Sequence, residues 1–416
     1  MGWIGERVAP ARLGRDFRWL LGSSLVSNIG DGIALAAGPL LVAAQTRNAL
    51  LIAAAAVVQR VPTLVLGLVA GAIADRLDRR RIVIAANLAR AAVLLVLVAT
   101  IVGGAVNIAV VLATLFLLGC AEVFADSTTG TIMPMIVRPG DLGVGQARLQ
   151  GSFLTANQLL GPPIGAFLFA AGMAVPFVAH LVAMLLALVL FARIALPPGG
   201  VRGAAPETRV RADIADGLRW LWRHPPVRTL ALVILLFNIT WGAPWGVMVL
   251  YALDHLEMGE VGFGLLTTAA AVGGLAGTAA YDWLESHVSL ATLMRACLTL
   301  EVATHLALAL TTDGTVALVI MVVFGAYAFV WGTLSTAVRQ RAVPTAYQGR
   351  VSSVYVLGLV GGLLLGQAIG GALAQAFGVL AAFWFAFAGS GLTLLLVWRA
   401  LGHIAHAGLS EDASTL

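Results

Sequence analysis

Asp31, Arg60, Arg90, Glu122, Asp126, Glu301 and His305 all stand inside long apolar runs. A charged side chain in hydrocarbon costs ~2.5–3.5 kcal/mol on insertion scales, so such residues persist where they pair, carry charge or meet a ligand. Depth sorts them. Asp31 and Arg60 each lie fourteen residues from the same-side end of their runs, and Arg90 and Asp126 each lie eight. Equal depth in adjacent antiparallel helices predicts two ion pairs, Asp31–Arg60 and Arg90–Asp126. Glu301 and His305, four residues apart, are expected to form a structural pair along one helix. Glu122, one turn from Asp126 on the same face, is left without a partner. A desolvated carboxylate lacking a counter-ion suits a proton carrier, so Glu122 is expected to take and release a proton, with Asp31 or Asp126 assisting.

A second set is aromatic and amide. Asn238, Trp241 and Trp245 fall at i, i+3, i+7, and Tyr327 and Trp331 at i, i+4, each set on one helical face. Such faces, near acids, suit a lipophilic or cationic small molecule. Asn157 and Gln158 are weaker candidates, and His180 is expected to be peripheral. The chain has no phosphate-binding P-loop, no metal-ligand cluster and no nucleophile motif, so ATP-driven transport, hydrolysis and a resident cofactor have no support.

The elements that hold these residues are membrane helices. The 416 residues are 60% hydrophobic and 11% charged, with a mean hydropathy of +0.95. A soluble chain carries roughly 25% charged residues. Breaks at polar and Gly/Pro-rich points give twelve spans: 17–44, 49–74, 82–103, 106–134, 146–172, 174–196, 227–252, 260–284, 289–312, 315–339, 350–376 and 379–401. The segments are too long and too evenly apolar for barrel strands.

All 25 basic residues are arginine, and the net charge of +5 borders the membrane, which points to anionic lipid and not to nucleic acid. With the N-terminus inside, twenty-two arginines fall on the inner side and Arg47 alone outside, so both termini are expected in the cytoplasm. No cleavable leader is read at the N-terminus. Cys120 and Cys297 lie within apolar spans and read as small buried side chains.

The Arg-rich stretch 197–226 splits the chain six plus six. The expected organisation is an N-terminal tail (1–16), a six-helix bundle (17–196), this linker, a second bundle (227–401) and a C-terminal tail (402–416). Ile214, Leu218 and Leu221 in the linker fit a short helix on the inner membrane surface. Pro39 and Pro244, Pro139 and Pro344, and LLGPPIGAFL and LLGQAIGGAL all recur at an offset of 205, which argues for internal duplication. Glycines 273, 274, 277, 358, 361, 362, 366 and 370 read as close helix packing.

Between spans 2 and 3 the chain reads GAIADRLDRRR, in which Gly71, Asp75, Arg76, Arg79 and Arg80 match a loop motif, G-x-x-x-D-R-x-G-R-R. On this motif the chain resembles the major facilitator superfamily over nearly its whole length. Asp78 stands where the general motif has glycine. That acid, the AEVFADSTTGTIMPMIV segment and DGLRWLW in the linker are similar to the twelve-helix drug:proton antiporter branch that includes macrolide and enterobactin exporters. Gly161, Pro162 and Gly165 resemble that branch's antiporter motif, with Ala166 replacing its last glycine.

The resemblance implies an all-α fold of two pseudo-symmetric six-helix bundles in a bacterial inner membrane. Helices 1, 4, 7 and 10 would line the cavity, which places Glu122 on a cavity helix and Glu301 off it. It also implies a monomeric proton-coupled exporter of lipophilic molecules, with the loop motif as a gate. A lysophospholipid transporter is the main alternative, with Arg60, if unpaired, as a headgroup ligand. A siderophore exporter, a non-transporting scaffold and an importer rank below it.

Overall fold

The computed structural model describes residues 10–196 and 210–405. Among them are twelve helices long and apolar enough to cross a membrane, and no strand. Hydrocarbon offers no partner for a bare N–H or C=O, so each crossing segment must close its hydrogen bonds internally. We number the spans α1 (Gly14–Gln45), α2 (Ala49–Arg76), α3 (Arg79–Val102), α4 (Ile108–Thr129), α5 (Pro139–Ala171) and α6 (Val175–Ala192). They continue with α7 (Pro225–Leu250), α8 (Gly259–His287), α9 (Leu290–Leu310), α10 (Gly314–Ala342), α11 (Thr345–Phe377) and α12 (Leu380–Val397). A linker helix, Val210–Arg223, precedes α7.

Polar residues at the loops start several spans. Asp78, Asn107, Ser289 and Asp313 cap α3, α4, α9 and α10 through side-chain oxygens that accept backbone N–H groups. The N–H groups of Val316 and Thr315 hold the Asp313 carboxyl below its usual range.

The helices gather into two compact units. One comprises Met1–Thr46, Val58–Pro206 and Gly259–Thr268; the other comprises Arg47–Val57, Glu207–Met258 and Ala269–Leu416. In the first, α1 packs along α5 and α6, and α3 along α4 and α6. Glycine sets the α1–α5 spacing: a Cβ on Gly161 would lie 2.4 Å from Gly32 Cα, and one on Gly165 2.2 Å from the Ile33 carbonyl oxygen.

In the second unit α7 packs along α11 in the same way, Gly366 against Gly242 and Gly370 against Ala243. Positions on α5 and α11 are thus 205 apart, as in the sequence repeat, but their partners on α1 and α7 (Gly32 and Gly242, Ile33 and Ala243) are 210 apart. By packing, Pro39 is therefore not the counterpart of Pro244. Gly273, Gly277 and Gly362 also sit against backbone, and Gly274 against the Phe329 ring. Gly358 and Gly361 do not: nothing lies within 4 Å of a Cβ there.

The backbone at Gly71, Asp75 and Arg76 is helical, but the surroundings of Gly71 and the side chains of Asp75 and Arg76 lie outside what the structure describes. Beyond them, Asp78 is the N-cap of α3, a role glycine fills without a side chain. Arg80 donates to the carbonyls of Ala192 (2.6 Å) and Ile194 (3.3 Å) at the end of α6, and Arg79 reaches Met135 Sδ. The linker helix docks on α11 through Gly217, where a Cβ would fall 2.6 Å from the Arg350 carbonyl oxygen. Ile214 lies outside the described side chains.

Candidate functional site

The first unit holds a buried ionic cluster. Asp31 projects from α1 and accepts hydrogen bonds from Arg90 Nη2 of α3 and, at 3.3 Å, from Ser27 Oγ one turn back. His180 Nε2, on α6, lies 3.2 Å from the same Asp31 oxygen that Arg90 holds. Arg90 and His180 are 4% and 2% exposed, so this is a desolvated group whose charges must balance locally. Gly30 makes it possible: a Cβ there would sit 2.7 Å from His180 Cδ2, so only glycine lets α6 bring its ring to Asp31.

Both predicted ion pairs are therefore corrected. Arg90 is taken by Asp31, and neither Arg60 nor Asp126 has an ion-pair partner within 4 Å among the described residues. For Asp31 and Arg60 the depth argument failed because it paired helices adjacent in sequence, whereas α1 packs along α5 and α6. Helices α3 and α4 do pack, but Arg90 turns to Asp31 instead of Asp126. His180, expected to be peripheral, is at the centre.

Two cavities flank the cluster. A cavity of ≈ 240 Å³ is lined by Arg60, Glu122, Asn157 and Gln158 together with Asp31, Arg90 and His180. A smaller one of ≈ 90 Å³ is lined by Ser24, Asn28, Asn87 and Asp126, again with Asp31 and Arg90. The Asp31–Arg90 pair is thus the wall common to both, with Glu122 on one side and Asp126 on the other. Each is polar and larger than one water requires.

Asn157 and Gln158 owe their position to a π-helical segment, Leu154–Leu160, inside α5. The Gly161 N–H bonds back to the Ala156 carbonyl, and Pro162 and Pro163 carry no N–H. The Gln158 carbonyl therefore has neither an i+4 nor an i+5 donor, and the Asn157 carbonyl loses both of its own. The widened turn presents these two amides to the ≈ 240 Å³ cavity.

The second unit gathers the aromatic candidates. Asn238, Trp241, Tyr327 and Trp331 line a pocket of ≈ 130 Å³ with Phe324, Cys297 and Glu301. Trp241 stacks on Phe324 (3.9 Å between centroids), and Trp245 lies behind it at 5.5 Å, outside the lining. Asn238 donates to the Ile234 carbonyl at 2.7 Å. Glu301 and His305 pair at 3.2 Å as expected, but Glu301 also faces this pocket, which its place on α9 did not foretell. Among the described residues no three His, Cys, Asp or Glu side chains converge as metal ligands.

A model of the transmembrane secretion effector family matches residues 7–411. The chain is 30% identical over 382 residues to the multidrug efflux pump Tap of Mycolicibacterium fortuitum, covering 88% of this chain and 90% of that one. Tap of Mycobacterium tuberculosis is 31% identical over 296 residues, 68% of this chain and 69% of that one. Among solved structures, a bacterial homologue of the iron transporter ferroportin, inward-facing, aligns with a TM-score of 0.75 at 17% identity over 94% of this chain and 98% of that one. A bacterial homologue of the lysosomal transporter Spinster aligns at 0.69 and 13% identity over 95% and 97%. At those identities the shared property is the fold. Twelve spans, the loop motif and a family match over nearly the whole chain have one common reading: this is a transporter of the major facilitator superfamily, and it belongs to the transmembrane secretion effector family.

Proposed function

We propose that the chain is a proton-coupled exporter, an antiporter of lipophilic small molecules such as drugs or secondary metabolites, working by alternating access. The similarity to a multidrug efflux pump supports the direction of transport. The observation that carries the coupling is the position of Glu122: it lines a polar cavity with no ion-pair partner within 4 Å among the described residues, Arg90 being already held by Asp31. A carboxylate so placed exchanges a proton at lower cost than it holds a bare charge.

In this reading Glu122 is the carrier. Asp31, clamped by Arg90 and His180, is the partition between the two cavities, and Asp126 receives or supplies the proton on the far side. Trp241, Tyr327, Trp331, Asn238 and Asn157 contact substrate, with Trp245 supporting Trp241. The antiporter-motif residues Gly161, Pro162 and Gly165 fix α5 on α1, and Gly71 to Arg80 gate the cycle. The arginine distribution supports cytoplasmic termini in a bacterial inner membrane, and the family resemblance implies a monomer.

The test is efflux by the purified chain in proteoliposomes under an imposed pH gradient, against a panel of lipophilic cations and neutral compounds. Gradient-driven transport should fall at least tenfold in Glu122→Gln. Wild-type rates in that variant, or transport insensitive to the gradient, refute the reading.

One observation favours a second reading. Arg60 is exposed to the ≈ 240 Å³ cavity without an ion-pair partner among the described residues, as a phosphate-binding residue of a lysophospholipid transporter would be. Lysophosphatidylethanolamine translocation abolished by Arg60→Gln, with no efflux of the panel, selects it.

A further inference from the structure

The ≈ 130 Å³ pocket of the second unit combines features that a packing defect does not need. Its walls are aromatic: Trp241 stacked on Phe324, Tyr327 edge-on to Phe324 at 5.6 Å, and Trp331. Glu301, 8% exposed, is the one acidic or basic side chain lining it. Among the described residues the only partner of Glu301 within ion-pair distance is His305, which is neutral unless protonated, so none of them fixes a permanent cation there. Tyr327 is 5% exposed, and among the described residues its buried hydroxyl closes no hydrogen bond of good geometry. A buried polar atom without a partner at a cavity wall is an unused contact.

We propose that this pocket binds the cationic head of an organic amine or quaternary ammonium compound. Glu301 is the counter-ion, the faces of Trp241, Tyr327 and Trp331 are the walls, and the Tyr327 hydroxyl is an additional contact. This rests on the transport reading above and names the class of substrate. The electronegative ring faces attract a cation, most strongly where water is excluded, and a buried carboxylate rejects an anion and gains nothing from an apolar neutral group. The pocket takes a compact head only, so the apolar remainder of a ligand extends beyond it.

The test is gradient-free binding to the purified full chain in nanodiscs, using radiolabelled benzyltrimethylammonium and its uncharged carbon isostere, neopentylbenzene. The wild type should bind the cation at least tenfold more tightly than the isostere, and Glu301→Gln should lose at least tenfold for the cation with the isostere unchanged. If Glu301→Gln does not fold, as judged by circular dichroism and gel filtration, Tyr327→Phe and Trp331→Leu carry the test, since both keep the Glu301–His305 pair; each should lower the cation preference several-fold. A wild type indifferent to charge, or variants that keep its full preference, overturns the proposal. Charge-selective binding that depends on Glu301 but is unaccompanied by gradient-driven efflux overturns the coupling reading and leaves this site standing.

Discussion

The Asp31–Arg90 contact makes a quantitative claim about stability. An exposed ion pair is worth about 0–1 kcal/mol, but Arg90 is 4% exposed, and removing one partner of a buried pair costs ~3–5 kcal/mol because a bare charge is left behind. The two single variants should differ. Asp31→Asn leaves a buried guanidinium with only the more distant Glu122 and Asp126 to balance it, so its cost should lie near the upper figure, ~5 kcal/mol. Arg90→Leu leaves Asp31 with His180, and with 21% of its side chain exposed, so its cost should lie near ~3 kcal/mol. Removing both charges takes away the cause of either penalty, and the double variant should be milder than Asp31→Asn alone by about 1–3 kcal/mol. Unfolding by sodium dodecyl sulfate titration in mixed micelles, followed by far-ultraviolet circular dichroism, measures all three. A double variant no milder than Asp31→Asn refutes the pairing. The same relief from Arg60→Gln in the Asp31→Asn background would restore the pairing read from depth.

Two further outcomes follow from backbone geometry. Gly165→Ala drives a Cβ into the Ile33 carbonyl and should cost about 1–3 kcal/mol as an overpacked contact, whereas Gly151→Ala, with open space around it, should be neutral or stabilising; thermal unfolding read by gel filtration separates them. Asp78→Ala should cost about 1 kcal/mol and speed hydrogen exchange at the Arg80 and Arg81 amides it caps, while Asp78→Gly, which restores the general motif, should cost only a few tenths. Equal exchange in all three proteins would show that the cap contributes nothing.

Hydrocarbon makes the architecture legible and the site only half so. Twelve crossings can be read because each must be long, apolar and self-bonded, whatever its neighbours. The chemistry-bearing residues can be read too, since Asp31, Arg90 and Glu122 are expensive where they stand. Their partners cannot. Depth along a span says nothing about which spans touch, and the α1–α6 contact that brings His180 to Asp31 depends on the bare backbone of Gly30. His180 carried a signal nonetheless, as a histidine in the otherwise apolar run VPFVAHLVAMLL. Glycine composition misled in a related way. Gly366 and Gly358 look alike in sequence, yet one meets backbone and the other open space, because the face each presents is set by the neighbouring helix.

The widened turn of α5 has a mechanical consequence. Bending a helix ordinarily means stretching the hydrogen bonds on its convex side. At Asn157 and Gln158 there is no such bond to stretch, since Pro162 and Pro163 supply no donor and Gly161 has turned to Ala156. Flexure there is therefore cheap, and the segment beyond it is clasped to α1 by Gly161 and Gly165. The first unit thus has a compliant joint set against a stiff seam, and the two cavity-lining amides sit at the joint, where a small tilt moves them most.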